Sequence, residues 1–322
     1  ACAYIPNYVM LISGGSFGIG YGPIITATKP MTIEEIKKSK IAIPGEMTSA
    51  YLLLQLMIGK FDYVEMNFSD ILTNQNMDPA PARSTIRGVF AGGRNPGTTN
   101  TIEYFEFAVL SNSIDFGDLS TARFELTSCS DSTRALFAGG RSPSTQSSIE
   151  KITIASTGST ASFGSLSGSR RGFTGSCSSS IRGLFGGGYS PIVDTIDYVT
   201  IQSDGTAQDF GNLSVARGFG GSCSSPTRGL WAAGLTPSNS DVIDYVQIMT
   251  TGNAVDFGDI TAARSLMAGA SSSTRGLFLG GAPDRTSIEF VTIATTGDAQ
   301  DFGDLTVGKS RNAACSNGHG GL

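Results

Sequence analysis

A pattern close to Arg-Gly-Leu-Phe-x-Gly-Gly occurs five times in this 322-residue chain, at Arg87–Gly93, Arg134–Gly140, Arg182–Gly188, Arg228–Gly234 and Arg275–Gly281. A second anchor follows each copy, the aromatic of a Phe-Gly pair at Phe116, Phe163, Phe210, Phe257 and Phe302, at spacings of 47, 47, 47 and 45 residues. A period of this size means that one supersecondary unit is stacked on copies of itself, each burying the face its neighbour cannot cover alone.

Each unit gives four strand signals. The first is the Arg-Gly-Leu-Phe run. The second is an Ile-acid-aromatic run (Ile102–Phe107, Ile149–Ile154, Ile196–Ile201, Ile243–Ile248, Ile288–Ile293), whose apolar/polar alternation fits a strand with one face inward. The third surrounds Phe-Gly and the fourth runs through a cysteine, as in Gly218–Ser224. Gly158, Gly205, Gly252 and Gly297 stand five residues before the Phe, where a tight hairpin needs positive φ; Ser111 breaks this rule, so the first turn is expected to differ. Four strands per 47 residues make a propeller blade. The expected fold is mainly β: about five four-stranded blades over residues 84–322, preceded by a small α/β fragment. The repeated Phe residues should be buried between blades. The first repeat starts at its Arg-Gly-Val-Phe strand, so a last strand near Ser310–Ser316 is expected to pair into the first blade and close the ring. An open or oligomerically completed ring is the alternative.

Forty-two glycines with only 15% charged residues are too many for a helical protein, and the chain is too apolar for disorder. The net charge is −5 and no Lys/Arg block occurs, which argues against nucleic acid as a partner. The longest apolar run, Tyr51–Gly59, is too short to span a bilayer. No signal peptide is visible, and Ala rather than Met at position 1 suggests a processed chain or a fragment. Cys129, Cys177, Cys223 and Cys315 occupy one repeat position, which Ala270 fills in the fourth unit; they read as small buried apolar residues rather than disulfides. With a single histidine, His319, no His-based metal site is expected, and no cofactor.

Repetition separates scaffold from site. Asp-Phe-Gly in several copies, without a Lys–Glu pair or His-Arg-Asp loop, is a core motif rather than a kinase element. The acids Glu103, Glu150, Asp197, Asp244 and Glu289 and the arginines Arg87, Arg134, Arg182, Arg228 and Arg275 also recur, which favours structural pairing over catalysis. The loops after Gly-Gly (94–101, 141–148, 189–195, 235–242 and 282–287) do not repeat, and blade geometry places them on one rim. Variable polar loops on a fixed scaffold are where binding sites are built. Arg94, Arg141, Tyr189, Asp284 and Arg285 are the candidate ligand-binding residues.

Residues 1–77 lack the repeat. Strands at Tyr8–Ile12, Pro23–Thr28, Lys40–Ile43 and Asp62–Met66, with helices at Thr32–Lys38 and Thr48–Ile58, suggest an α/β layer. Residues 78–83 are polar and Pro-rich and read as a linker. Thr48 and Ser49 at a helix start could cap that helix or hold a carboxylate or phosphate.

Two resemblances add to this reading. Ser13-Gly-Gly-Ser-Phe-Gly-Ile-Gly-Tyr-Gly-Pro23, Lys40-Ile-Ala-Ile-Pro-Gly45 and Thr48-Ser-Ala50 are similar to an internal segment of 1,4-dihydroxy-6-naphthoate synthase, an enzyme family of the futalosine route to menaquinone with a periplasmic-binding-protein-like fold. The likeness implies that Thr48, Ser49 and Ala50 line a small-anion or substrate pocket. The family's catalytic His has no counterpart in residues 1–318, so a catalytically inactive fragment is expected. In the repeats, the double glycine, the later Phe (where the family has Trp) and a following basic residue (Arg123, Arg170, Arg217, Arg264, Lys309) resemble a Kelch blade. The tandem pattern and the ending Cys315-Ser-Asn-Gly-His-Gly-Gly-Leu322 resemble Kelch-like repeat proteins of marine tailed phages. The expected function is a non-enzymatic binding or structural module of a virion, in contact with protein subunits of an assembly or with a host-surface glycan or protein, and with a homo-oligomer in prospect. The location would be virion or extracellular in that case and cytoplasmic otherwise. The alternative is a naphthoate-synthase-like enzyme carried by residues 1–77.

Overall fold

The computed structural model describes residues 41–43, 63–65, 80–83, 87–94, 96–107 and 112–315. The chain divides into two compact units, residues 1–70 and 71–322.

In the first unit, Ile41–Ile43 and Tyr63–Glu65 pair in parallel, Ile41 opposite Tyr63 and Ile43 opposite Glu65. Both strands fall inside expected ones. Parallel neighbours need a connection of a dozen or more residues, and these two strands stand far enough apart in sequence to meet that need. The other expected strands and both expected helices lie outside the described residues.

The second unit contains five four-stranded antiparallel sheets, and no helix occurs among the described residues. Each sheet runs from an inner strand outward in sequence order. The first blade is Ala80–Arg83, Arg87–Ala91, Thr101–Glu106 and Ile114–Asp118. The second is Thr127–Ser130, Arg134–Ala138, Ser148–Thr153 and Ala161–Ser165. The third is Gly175–Ser178, Arg182–Tyr189, Ile192–Thr200 and Gln208–Asn212. The fourth is Gly221–Ser224, Arg228–Leu235, Asn239–Gln247 and Val255–Arg264. The fifth is Ala268–Ser271, Arg275–Leu279, Arg285–Thr292 and Gln300–Lys309. The architecture is a five-bladed β-propeller.

The cysteine strand therefore opens each blade, pairing with the Arg-Gly-Leu-Phe strand that follows it: Cys129 opposite Leu136, Cys177 opposite Leu184, Cys223 opposite Leu230 and Ala270 opposite Leu277. Two expectations are corrected by this register. Residues 80–83, read as linker, form the inner strand of the first blade, with Ala82 opposite Val89 in the cysteine column. Its prolines hid it; an inner strand is paired on one side only, which is where a sheet tolerates Pro. The closing strand expected near Ser310–Ser316 is not a strand in the described residues up to 315, and the first blade does not take it up. That segment instead packs between the fifth and first blades, Ala314 against Ala268, Ala270 and Leu279, and Ala313 against Phe90 and Phe105.

The core lies between blades. The second strand of each blade is covered on both faces, so it reads as a nearly continuous apolar run, and Leu136, Phe137, Leu184, Phe185, Leu230 and Trp231 are fully buried. Phe116, Phe163, Phe210 and Phe257 are 2–4% exposed, as expected for inter-blade residues. Phe302 departs from that expectation at 49% exposed. The glycines that flank these rings make the joint. The N–H of Gly158 donates to Phe116 O (2.7 Å), Gly205 to Phe163 (2.9 Å), Gly252 to Phe210 (2.7 Å) and Gly297 to Phe257 (2.7 Å). A Cβ on Gly258 would come within 2.6 Å of the Gly297 carbonyl, so the Phe-Gly glycines of the first four blades make room for the next blade's turn.

Candidate functional site

Three polar features recur around the ring, and their geometry decides which can bind.

The first is a set of buried ion pairs: Arg123–Glu150 (2.7 Å), Arg170–Asp197 (2.7 Å), Arg217–Asp244 (3.0 Å) and Arg264–Glu289 (2.8 Å). Four of the five recurrent acids, all but Glu103, are thus paired with the basic residue that precedes their blade's inner strand. Each acid also accepts a backbone N–H, from Ser120, Ser167, Ser214 or Thr261, at 2.9–3.0 Å. Burial alone would raise the Glu150 carboxyl; the Ser120 N–H, the Thr160 hydroxyl and the Arg123 guanidinium hold it below the usual carboxylate range. Burial lowers the four arginines while their acids oppose it. Each carboxylate is buried and engaged by a guanidinium and a backbone amide, so these pairs fasten the blades. The other recurrent arginines tie one blade to the next: Arg87 donates to Ile154 O, Arg134 to Ile201 O, Arg182 to Ile248 O and Arg228 to Ile293 O, at 3.0–3.3 Å. Arg87, Arg182 and Arg228 also stack on Tyr104, Tyr198 and Tyr245 at 4.5–4.8 Å.

The second is the centre of the ring. The inner strands alternate, cysteine toward the blade and serine along the axis. Ser178 Oγ donates to Ser130 O, Ser222 Oγ to Ser176 O and Ser271 Oγ to Ser224 O, each at 2.9 Å. This serine ladder was missed in the sequence, although the period-two Ser-Cys-Ser triplet signals it. The cavity it lines, with Asn312, Ala313 and Ala314, is about 150 Å³. That is below the usual size of an organic-ligand site, and its hydroxyls are engaged with neighbouring strands. Burial raises the Cys129 thiol well above its ordinary value, so it is inert.

The third is the rim carrying the loops after Gly-Gly. Four of the loops are pinned to the connection that enters their own blade. Arg141 bridges Phe124, Leu235 bridges Gly218, Ala282 bridges Ser265, and Tyr189 N–H donates to Arg171 O at 2.8 Å. On one arc the Arg94 guanidinium lies 5.5 Å from the Phe124 ring, and exposed Arg141 is held to Phe124 by its backbone. Arg171, paired with Glu125, stacks 5.6 Å from the Tyr189 ring, and Tyr189 lies 4.8 Å from Phe219. The structure so places Arg94, Arg141 and Tyr189 along one cationic–aromatic arc. Asp284 and Arg285 belong to the fifth blade, where Asp284 accepts from Ser310 Oγ (2.5 Å) and Arg285 pairs with Lys309 across the sheet. Phe124, Arg171 and Phe219 were missed because nothing repeats there except a backbone shape: Glu125, Gly172, Phe219 and Leu266 all have φ of 55–57°. Thr48, Ser49 and Ala50 lie outside the described residues. Among the described residues no group of three or more His, Cys, Asp or Glu could hold a metal ion, and no helix is long and apolar enough to cross a membrane.

The fold class is that of a β-propeller protein. Residues 1–82 match the family described as menaquinone biosynthesis. Over 66 residues the chain is 40% identical to the 1,4-dihydroxy-6-naphtoate synthase of Thermus thermophilus, a stretch that covers 20% of this chain. The chain spans about a quarter, 24%, of the length of that curated relative. The family match ends at residue 82, inside the first blade's inner strand.

Proposed function

We propose that the propeller is a non-enzymatic binding module, and that the cationic–aromatic arc of its loop rim contacts a protein or glycan surface. The supporting observation is the contrast between constant and variable residues. Four of the repeated acids are buried in ion pairs and four of the repeated arginines bind the next blade, while Arg94, Arg141 and Tyr189 sit on loops of unlike sequence. Arginine guanidinium groups and half-buried aromatics suit stacking and polar recognition. The Kelch-like blade pattern and the likeness to repeats of tailed-phage proteins favour a virion or host-contacting setting, in which several weak sites act together through avidity. The naphthoate-synthase-like segment covers a quarter of the enzyme it resembles, and no turnover is assigned to it. The test replaces Arg94, Arg141 and Tyr189 together by Ser, in a protein checked for an unchanged melting curve, and measures binding to host cells and to arrays of glycans and virion subunits. Loss of the parent's binding is the expected result. A variant that binds as the parent does would remove this arc as the contact surface.

A further inference from the structure

The joint between the fifth and first blades differs from the other four, and the difference is systematic. At the four joints an arginine donates to the next blade's Ile carbonyl, whereas Arg275 is exposed and stacks on Phe290 and Phe302 of its own sheet. The Phe302 ring, 49% exposed, lies on the face that is covered in the other blades. Gly303 keeps φ of +140°, like Gly117 at +144°, Gly211 at +143° and Gly258 at +141°. Nothing lies within 4 Å of a Cβ built on Gly303, whereas those three glycines meet the next blade's turn.

At the axis the seam is filled by one strand-width of chain. Arg311 has φ of 59° and donates to Leu266 O at 2.8 Å, continuing the series in which Leu266 donates to Phe219 O and Phe219 to Gly172 O. Cys315 Sγ lies 3.2 Å from a Cβ built on Gly88, the relation that Cys129 has to Gly183 and Cys223 to Gly276. Residues 311–315 thus stand where the inner strand of a further blade would stand. The sequence Cys315-Ser-Asn-Gly-His-Gly-Gly-Leu322 keeps step with Cys177-Ser-Ser-Ser-Ile-Arg-Gly-Leu184.

We infer that the seam is a slot one blade wide, whose occupant is a three-stranded antiparallel β-sheet of this same repeat, docked on Phe302, Gly303 and Arg275. The occupant's chemistry is set by the four joints already made. It presents a glycine turn whose N–H reaches Phe302 O, a backbone carbonyl for Arg275, and an apolar face for Phe302, and its edge pairs with residues 312–315. Such strand addition uses backbone groups for affinity and side-chain pockets for register.

The width is tested with nitroxide pairs in a chain carrying Cys2→Ala and Cys315→Ala. Asp118/Ser159 measures adjacent blades, Asp118/Thr206 measures blades one apart, and Asp304/Asn112 spans the seam. The seam distance should match the Asp118/Thr206 distance; a match to Asp118/Ser159 would overturn the slot. The occupant is tested by extending residues 1–315 with a copy of Ser224–Arg264 and labelling with hydroxyl radicals. Labelling of Phe302 should be lost, falling to the level of Phe257, and the melting temperature should rise. If Phe302 stays labelled, or the extended chain fails to fold while the seam distance is that of the wider pair, a blade of this repeat is not the occupant.

Discussion

Four joints and one seam are built from nearly the same residues, yet only the joints bury them. Asp256-Phe257-Gly258 and Asp301-Phe302-Gly303 are identical in sequence and have the same glycine φ, +141° and +140°. Phe257 is 2% exposed and Phe302 is 49% exposed. The local conformation is therefore set within the blade, by hairpin and sheet, and the neighbour contributes burial rather than shape. Identical mutations at the two places measure what a neighbouring blade adds.

The largest contrast is expected at the Phe ring and then at the arginine that crosses the joint. Phe257→Ala should destabilise by about 3–5 kcal/mol through a cavity, and Phe302→Ala by about 1 kcal/mol or less, in urea melts followed through the emission of Trp231, the chain's single tryptophan. Equal costs would mean that Phe302 is covered in solution. Arg228→Ala removes the hydrogen bonds to the Ile293 and Ala294 carbonyls of the next blade and should cost about 1–3 kcal/mol, whereas Arg275→Ala at the seam should fall within about 0.5 kcal/mol.

A smaller difference separates the glycines. Both Gly258→Ala and Gly303→Ala place a Cβ in a region of φ that costs about 1–3 kcal/mol. Only at Gly258 does the Cβ also meet backbone, 2.6 Å from the Gly297 carbonyl. Gly258→Ala should therefore melt lower by about a further 1–3 kcal/mol. Equal melting of the two variants would show that the joint yields without loss.

Acid gives a graded test of the joints. The Glu150 carboxyl is held below its ordinary value in the folded chain. A depressed carboxylate lends stability that is complete above the unfolded pKa and is lost as pH falls through the folded one. The parent's advantage over Glu150→Gln should therefore be full at neutral pH and shrink below the usual carboxylate range. An advantage unchanged into strong acid would contradict the pairing with Arg123. At the bottom of the scale, Asp204 is held low by its hydrogen bond to Lys151 and by Arg134, but it is fully exposed. Asp204→Asn should leave the melting curve unchanged, because solvent screens such pairs.

The blade was legible in the sequence because each strand repeats under the same burial. The 47-residue period and the Ile alternation located the strands, and the turn glycines Gly158, Gly252 and Gly297 marked positions of positive φ. The phase of the blade was not legible. A ring of repeats reads the same from any starting strand, and Pro79 and Pro81 masked the first inner strand. The exposure of Phe302 was hidden for a related reason, since its motif matches those of the buried rings and exposure depends on the blade packed against it. Of the candidate site, the rim loops were found from their lack of repetition, but their arc was not. Phe124, Arg171 and Phe219 are joined by a shared backbone turn that different residues adopt, and composition gives no sign of it.

Hydroxyl-radical labelling of the five phenylalanines in the intact chain tests the contrast most directly. The account predicts strong labelling of Phe302 and protection of Phe116, Phe163, Phe210 and Phe257. Equal protection of all five would contradict it, because it would place a covering surface over the fifth blade.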